Sequence, residues 1–364
     1  MTIRRAFKAL LVLVLPVSCV SQAEQPSYVQ WDVPCSVRAL EVASDETVWY
    51  AGSEGCVGQF SDGQWETLHV LEMGAENDST RLAFRSLASG AAGSPVYALG
   101  IGSPALLYRL EAGLEMGVGE DASRLSAALV HRVDDSSAFF DAMLSLDEGR
   151  FIAMGDPLDS VGGGCLAVLR SEDDGATWSR VPCENLPEVL PGEAAFAASN
   201  SNLASAGDTV WMVSGGGASR VFRSLDAGLH WSVFDTPLLQ GGQMTGAFTM
   251  AFANSKVGVI WGGDWEEKAM NKGRAAVTQD GGESWSLLAE GTGPGYLSCV
   301  QHRPGSGGRQ WIGVGSPAGI WHSADSGSTW TSLSDSSFYT CRFTPDGETL
   351  WLAGHKKIAR LQLD

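Results

Sequence analysis

The chain has 364 residues, 44% of them hydrophobic and 18% charged, with 45 glycines and a formal charge of −18. The length and apolar content suffice for a large core, and many glycines with few charges suit short strands and tight turns better than long surface helices. So acidic a chain, without a Lys/Arg stripe, repels phosphate backbones, which argues against nucleic acid as a partner.

Residues 1–25 read MTIRRAFKALLVLVLPVSCVSQAEQ. Arg4, Arg5 and Lys8 precede an apolar run from Ala9 to Leu15, and small residues lead to Ala23. This is the pattern of a secretory signal peptide spanning 1–23, too short to cross a bilayer comfortably. The alternative is a lipoprotein box at PVSC, which would anchor the chain to a membrane through a lipidated Cys19; Pro16 stands where such a box carries Leu. A periplasmic or secreted location follows, with 24–364 as the mature chain. Cleavage leaves six cysteines, at 35, 56, 165, 183, 299 and 341. An even number in an exported chain permits disulfides. There is no C-x-x-C pair or paired histidine spacing, so zinc or thioredoxin-like chemistry has no support; no cofactor is expected, and no metal site is assigned.

Beyond residue 27 the chain reads as short strands in units of four. The segment YVQWDV (28–33) is a strand without a local partner. A first unit holds CSVRALEV, VWYAG, CVGQF and ETLHV, with SDGQW ending at Trp65 as its last turn. A second holds LAFRSLAS, VYALG, ALLYRL and EAGLEMGV. In the third, FFDAMLSL and FIAMG precede CLAVLRS, the turn SEDDGATW and the strand begun by Trp178. That turn returns as SLDAGLHW, TQDGGESW and SADSGSTW, so Trp178, Trp231, Trp285 and Trp330 recur at intervals of 53, 54 and 45 residues. A period near 50 with four strand-like segments marks a propeller-type array. The remaining first strands are AAFAASN, AFTMAFA, YLSCVQH and FYTCRF, and the last unit stops one strand short. The strand 28–33 can complete it and so remove two unpaired sheet edges. The expected fold is all-β: one seven-bladed β-propeller of four-stranded antiparallel blades, closed by the N-terminal strand.

In the repeated turn, Asp173, Asp226, Asp280 and Asp325 are placed to accept bonds from turn N–H groups. Gly175, Gly228, Gly282 and Gly327 permit positive φ, and the four tryptophans can wedge between strands. The pattern Ser-x-Asp-x-Gly-x-Thr-Trp resembles the Asp-box, or BNR repeat, of sialidases, and its reading is structural. It falls on the face opposite the loops that follow second strands.

The other face collects polar residues: Arg85 and Asp141 in first strands, Asp156 and Asp159 after a second strand, Glu193 before a first strand, and Asp264 at the end of a second strand. Three uses of these carboxylates compete: general acid and base for glycoside hydrolysis by Asp141, Asp156, Glu193 or Asp264, oxygen ligation of Ca²⁺, or the capping of turns. Cys165 starts a third strand and Cys183 follows the adjacent fourth, so this pair is the expected disulfide. Cys299 and Cys341 stand where other units place Ala or Ser, which suits either small buried residues or a bridge.

The run FFDAM…GRFIAMGDP…CLAVLRSEDDGATW…GEAAFAASNSNL…RVFRSLDAGLHW…GGD resembles bacterial relatives of the photosystem II stability/assembly factor, over most of residues 28–364. The resemblance implies a seven-bladed propeller with a non-enzymatic binding or assembly role toward a protein client. It implies no photosystem client. The sialidase Phe-Arg-Ile-Pro motif survives only as Phe-Arg in FRSL, and no arginine triad is evident. A sialidase-like glycoside hydrolase acting on a glycan remains the alternative.

Overall fold

A computed structural model describes residues 28–43, 47–73, 79–90, 95–116, 123–147, 149–159 and 164–363. The expected signal peptide and Cys19 lie outside these residues.

The short strands expected from the sequence form a β-propeller of antiparallel sheets. The third sheet illustrates the sequence logic. Phe140–Ser145, Phe151–Gly155, Ala167–Ser171 and Ser179–Arg180 follow one another from the axis outward. Each is short, and the first three are rich in apolar residues. The inner strands Tyr28–Val42, Phe84–Ser89, Phe140–Ser145, Leu203–Ala206, Thr245–Phe252, Cys299–His302 and Thr340–Phe343 neighbour one another in a closed circle. Their first residues lie at one end of the axis, the upper end here. Because the strands alternate in direction, every repeated turn lies at the lower end.

Among the described residues the propeller has six sheets of four or six strands, where seven blades were expected. The difference arises at the chain termini. Tyr28–Asp32 pair with Lys357–Leu361, while Val37–Val42 of the same strand pair with Val48–Gly52. The last unit and the first therefore merge, through the continuous strands Tyr28–Val42 and Thr349–Gln362, into one sheet with two inner strands.

Two further segments depart from expectation. EAGLEM does not form an outer strand of the second unit. With no Asp/Gly turn after Leu110 it continues the third strand as Ala105–Met116, and Ser123–Val133 pairs outside it. AAFAASN is not an inner strand; Leu203–Ala206 takes that place in the fourth unit. Apart from Phe196, residues 194–200 are small, none is β-branched, and this segment enters the central channel instead.

The core lies between sheets. Trp211, Trp261, Trp311 and Trp351, each from a second strand, are fully buried. Trp261 packs edge-on to Trp330 at 4.8 Å, and Trp211 stacks on Phe252 at 3.7 Å. Burying about 150–250 Å² per ring at about 25 cal/mol/Å² gives about 4–6 kcal/mol gross for each. Disulfides join Cys35 to Cys56 and Cys165 to Cys183. The second pair is the expected one; the first was not singled out by the sequence.

Candidate functional site

The repeated turns share one hydrogen-bond pattern. Asp173 accepts from Thr177 N (2.8 Å) and Thr177 Oγ1 (2.6 Å), Gly175 N donates to Ser171 Oγ (2.9 Å), and Trp178 Nε1 donates to Gly175 O (3.0 Å). Asp226, Asp280 and Asp325 repeat it with His230, Ser284 and Thr329. Gly228, Gly282 and Gly327 donate to the residue four before, and Trp231, Trp285 and Trp330 donate to those glycines. The Asp carboxylates of these four turns are thus engaged within their own turns.

The upper end differs. Residues 191–202 leave the fourth unit, cross the mouth of the channel and descend along the axis as a plug. Arg85 Nη1 donates to Ala197 O (2.9 Å) and Arg38 Nη1 to Ala198 O (3.1 Å). Asn200, at φ 55°, donates from Nδ2 to Leu87 O (2.7 Å) and accepts from Met143 N (2.9 Å). Ser201 Oγ meets Thr249 Oγ1 (2.7 Å), Thr340 Oγ1 donates to Ser199 O (3.0 Å), and Arg342 Nη2 to Asn200 O (2.6 Å). A buried backbone must find partners; this one finds them on inner strands around the circle. The plug divides the channel into two chambers.

The upper chamber is an open cavity of ≈ 980 Å³. Ala194–Ala198 form its floor, with Arg38, Arg85, Asp156, Phe248, Tyr296, Met244 and Trp265 around it. Phe196 stacks on Phe248 at 4.0 Å and Tyr296 stands edge-on to Phe248 at 4.9 Å. Trp265 is 44% exposed at the rim, with Lys268 Nζ 4.3 Å from its ring centre.

One local device aims several of these side chains. In four inner strands the pairing register skips a residue between Val37 and Ala39, Phe84 and Ser86, Phe140 and Ala142, and Ala247 and Thr249. The skipped residues are Arg38, Arg85, Asp141 and Phe248. A bulge of this kind re-aims a side chain and bends its strand. Of the four, Arg38, Arg85 and Phe248 line the chamber and Asp141 does not.

The structure separates the six rim residues expected from sequence. Arg85, Asp156 and Glu193 line the cavity. Asp156 Oδ1 accepts from Ala195 N (2.8 Å), and burial pushes its carboxyl up to about 6. Glu193 is buried and committed: Arg220 Nε (3.0 Å), Arg220 Nη2 (2.5 Å), Ser214 Oγ (2.5 Å) and Leu190 N (2.8 Å) all donate to it. Asp141 is fully buried outside the lining, and neither oxygen has a hydrogen-bond partner among the described residues. Burial, then Asp156, push its carboxyl well up against the pull of Arg85. Asp264 caps its own turn, accepting from Glu266 N (2.8 Å). Asp159 is exposed, its N–H bonded to Ser137 Oγ (2.7 Å). Neither lines the chamber.

Sequence reasoning missed Arg38, Phe196, Phe248, Tyr296 and Trp265. A signal for two of them existed. SVRAL, AFRSL and FFDAM align so that Arg38, Arg85 and Asp141 occupy one repeat position, and GAFTM places Phe248 beside them. Phe196 and Trp265 sit in connections, where no periodicity points.

Searches against protein-family models and against curated proteins found no match. Among solved structures, "YCF48 bound to D1 peptide" matches at 15% identity and a TM-score of 0.61, over 94% of this chain and 99% of that one. YCF48 from Cyanidioschyzon merolae matches at 13% and 0.60, over 92% and 98%. The GH74 xyloglucanase from Xanthomonas campestris matches at 14% and 0.59, over 93% of this chain and 54% of that one. At such identities the likeness is one of fold, and the fold is a β-propeller of the kind seen in YCF48.

Proposed function

We propose that the chain is an exported, non-enzymatic binding propeller, comparable in role to an assembly factor, which holds an extended segment of a client protein in the upper chamber. The observation that carries this reading is the chamber itself: ≈ 980 Å³, open at the rim, floored by backbone and small side chains, with an aromatic cluster beside two arginines. A segment with an apolar side chain over Phe248, Met244 and Trp265 and an acidic group toward Arg38 and Arg85 matches that lining. That one propeller of this fold is described as bound to a peptide supports a protein partner in general. The two disulfides suggest an oxidising compartment outside the cytoplasm, in keeping with a signal peptide over 1–23 or a lipidated Cys19. On this reading 24–364 is one domain and the repeated turns are Asp-boxes that staple its lower end.

The second reading is a sialidase-like glycoside hydrolase, favoured by Asp156, whose raised carboxyl suits a general acid. Hydrolysis uses a second free carboxylate. The only other one among the described lining residues, Glu193, is locked to Arg220.

A peptide library displayed against the mature protein tests the two. Selected peptides should bind Trp265→Ser and Arg38→Glu at least tenfold more weakly. Peptides that bind both variants unchanged would overturn the proposal. Release of aryl glycosides that Asp156→Asn abolishes would favour the second reading.

A further inference from the structure

The lower chamber, ≈ 360 Å³, lies beneath the plug and is lined by Arg342, Gln301, Ser201 and Glu41 among others. Just behind its wall are two fully buried cysteines without a disulfide, Cys299 and Cys341, on neighbouring inner strands. Their sulfurs are 3.9 Å apart. The groups around them are unequal. Arg342 Nη1 donates to Cys299 Sγ at 3.5 Å, and Gln301 Nε2 approaches it at 3.9 Å. A guanidinium and an amide donor beside one sulfur favour its anionic form. Burial alone would push the Cys299 thiol up. The Cys341 hydrogen bond and the Arg342 charge outweigh it and hold Cys299 well below the usual thiol range, while Cys341 is pushed well above. The two sulfurs thus sit in unequal surroundings, Cys299 beside a cation and Cys341 within reach of it. Arg342 and Gln301 belong both to the chamber wall and to the sulfur's surroundings, so a small molecule in the chamber is one side chain away from Cys299.

We propose that Cys299 and Cys341 form a redox-active dithiol whose substrate is a small hydroperoxide entering through the lower chamber, Cys299 being the nucleophile and Cys341 the resolving thiol. Cys299 Sγ attacks the terminal peroxide oxygen. The O–O bond breaks, the alkoxide or hydroxide leaves with the bonding pair and takes up a proton, and Cys299 becomes a sulfenic acid. Cys341 Sγ then loses its proton and attacks the sulfenic sulfur; the S–O bond breaks and the oxygen departs as water. Two thiols are oxidised by two electrons, and the hydroperoxide is reduced to an alcohol, or water, and water. The product is a bridge between the inner strands Cys299–His302 and Thr340–Phe343, next to the seam where the chain termini meet.

The Cys341→Ser chain, which cannot form the bridge, provides the test. Exposed to hydrogen peroxide at pH 7 with a sulfenic-acid trap, it should carry the adduct on Cys299 by mass spectrometry. Free cysteine at that pH is only a few per cent thiolate, so a Cys299 whose anion the Arg342 guanidinium favours should react faster, by up to about 30-fold. Arg342→Leu in the same background should lose most of that gain and Arg342→Lys should keep part of it, with circular dichroism confirming both chains folded. The wild-type chain, if it purifies with two free thiols, should lose both to one equivalent of peroxide and yield a 299–341 cross-linked peptide. A bulky hydroperoxide should react more slowly than hydrogen peroxide. A folded Cys341→Ser chain whose Cys299 reacts no faster than free cysteine, or equally fast without the Arg342 guanidinium, would overturn the proposal.

Discussion

At Glu193 and Arg220 two charges are taken out of water together, and the cost is met only because each is fully bonded. Glu193→Ala leaves the guanidinium buried without its counterion, which costs about 3–5 kcal/mol; urea unfolding of the two chains should differ by that amount. Asp156 behaves in the opposite sense. Its carboxyl sits at about 6 in the folded chain against 3.8 ordinarily, so folding favours the protonated form between those values. The stability from this site is complete below about pH 4 and lost as pH rises through about 6, a shift of about 2 pKa units worth about 3 kcal/mol. Asp156→Asn keeps an acceptor for Ala195 N and has no charge to bury. Its unfolding free energy should therefore vary less than that of the wild type between pH 4 and 7, and at pH 8 the variant should be the more stable.

At the scale of elements, the repeated turn and the inner-strand bulge divide the labour. The turn fixes the lower end of a sheet, and its Trp wedges against the preceding sheet. Trp330 packs against Trp261 at 4.8 Å and shares one buried cluster with Leu288 and Leu297. Trp330→Ala should cost about 3–5 kcal/mol, read from chemical unfolding. At Asp226, burial raises the carboxyl but the bonds from His230 lower it further, to about 2. That contribution is present above about pH 4 and lost as pH falls through about 2, so His230→Ala should raise the midpoint of acid unfolding followed by tryptophan fluorescence. The bulge points side chains at the axis. Both devices are short sequence patterns, but only the turn has a composition that announces it. A bulge is one extra residue in a strand, and Arg38 and Arg85 look like ordinary strand residues until the units are aligned.

At the scale of the whole molecule, closure and the plug decide the site. The N-terminal strand covers Ile358, Ala359 and Leu361, all fully buried. Removing residues 24–33 uncovers them and leaves an open sheet edge, so the shortened chain should associate or precipitate where the mature chain elutes as a single species by size exclusion. The plug connects regions far apart in sequence: Asn200 reaches Leu87, Met143 and Arg342.

Taken alone, the sequence determined the all-β class, the four-strand unit, the staple turns and the Cys165–Cys183 pair, because each rests on contacts between residues close along the chain. It also placed Arg85, Asp156 and Glu193 near one end. Tertiary structure alone decided that the terminal units share one sheet, that 194–200 leaves the sheet for the channel, and that Asp141 is entombed beside a cavity while Asp264 caps a turn. Those outcomes depend on which strands meet around an axis and how much room is left between them, and neither quantity is carried by any local run of residues.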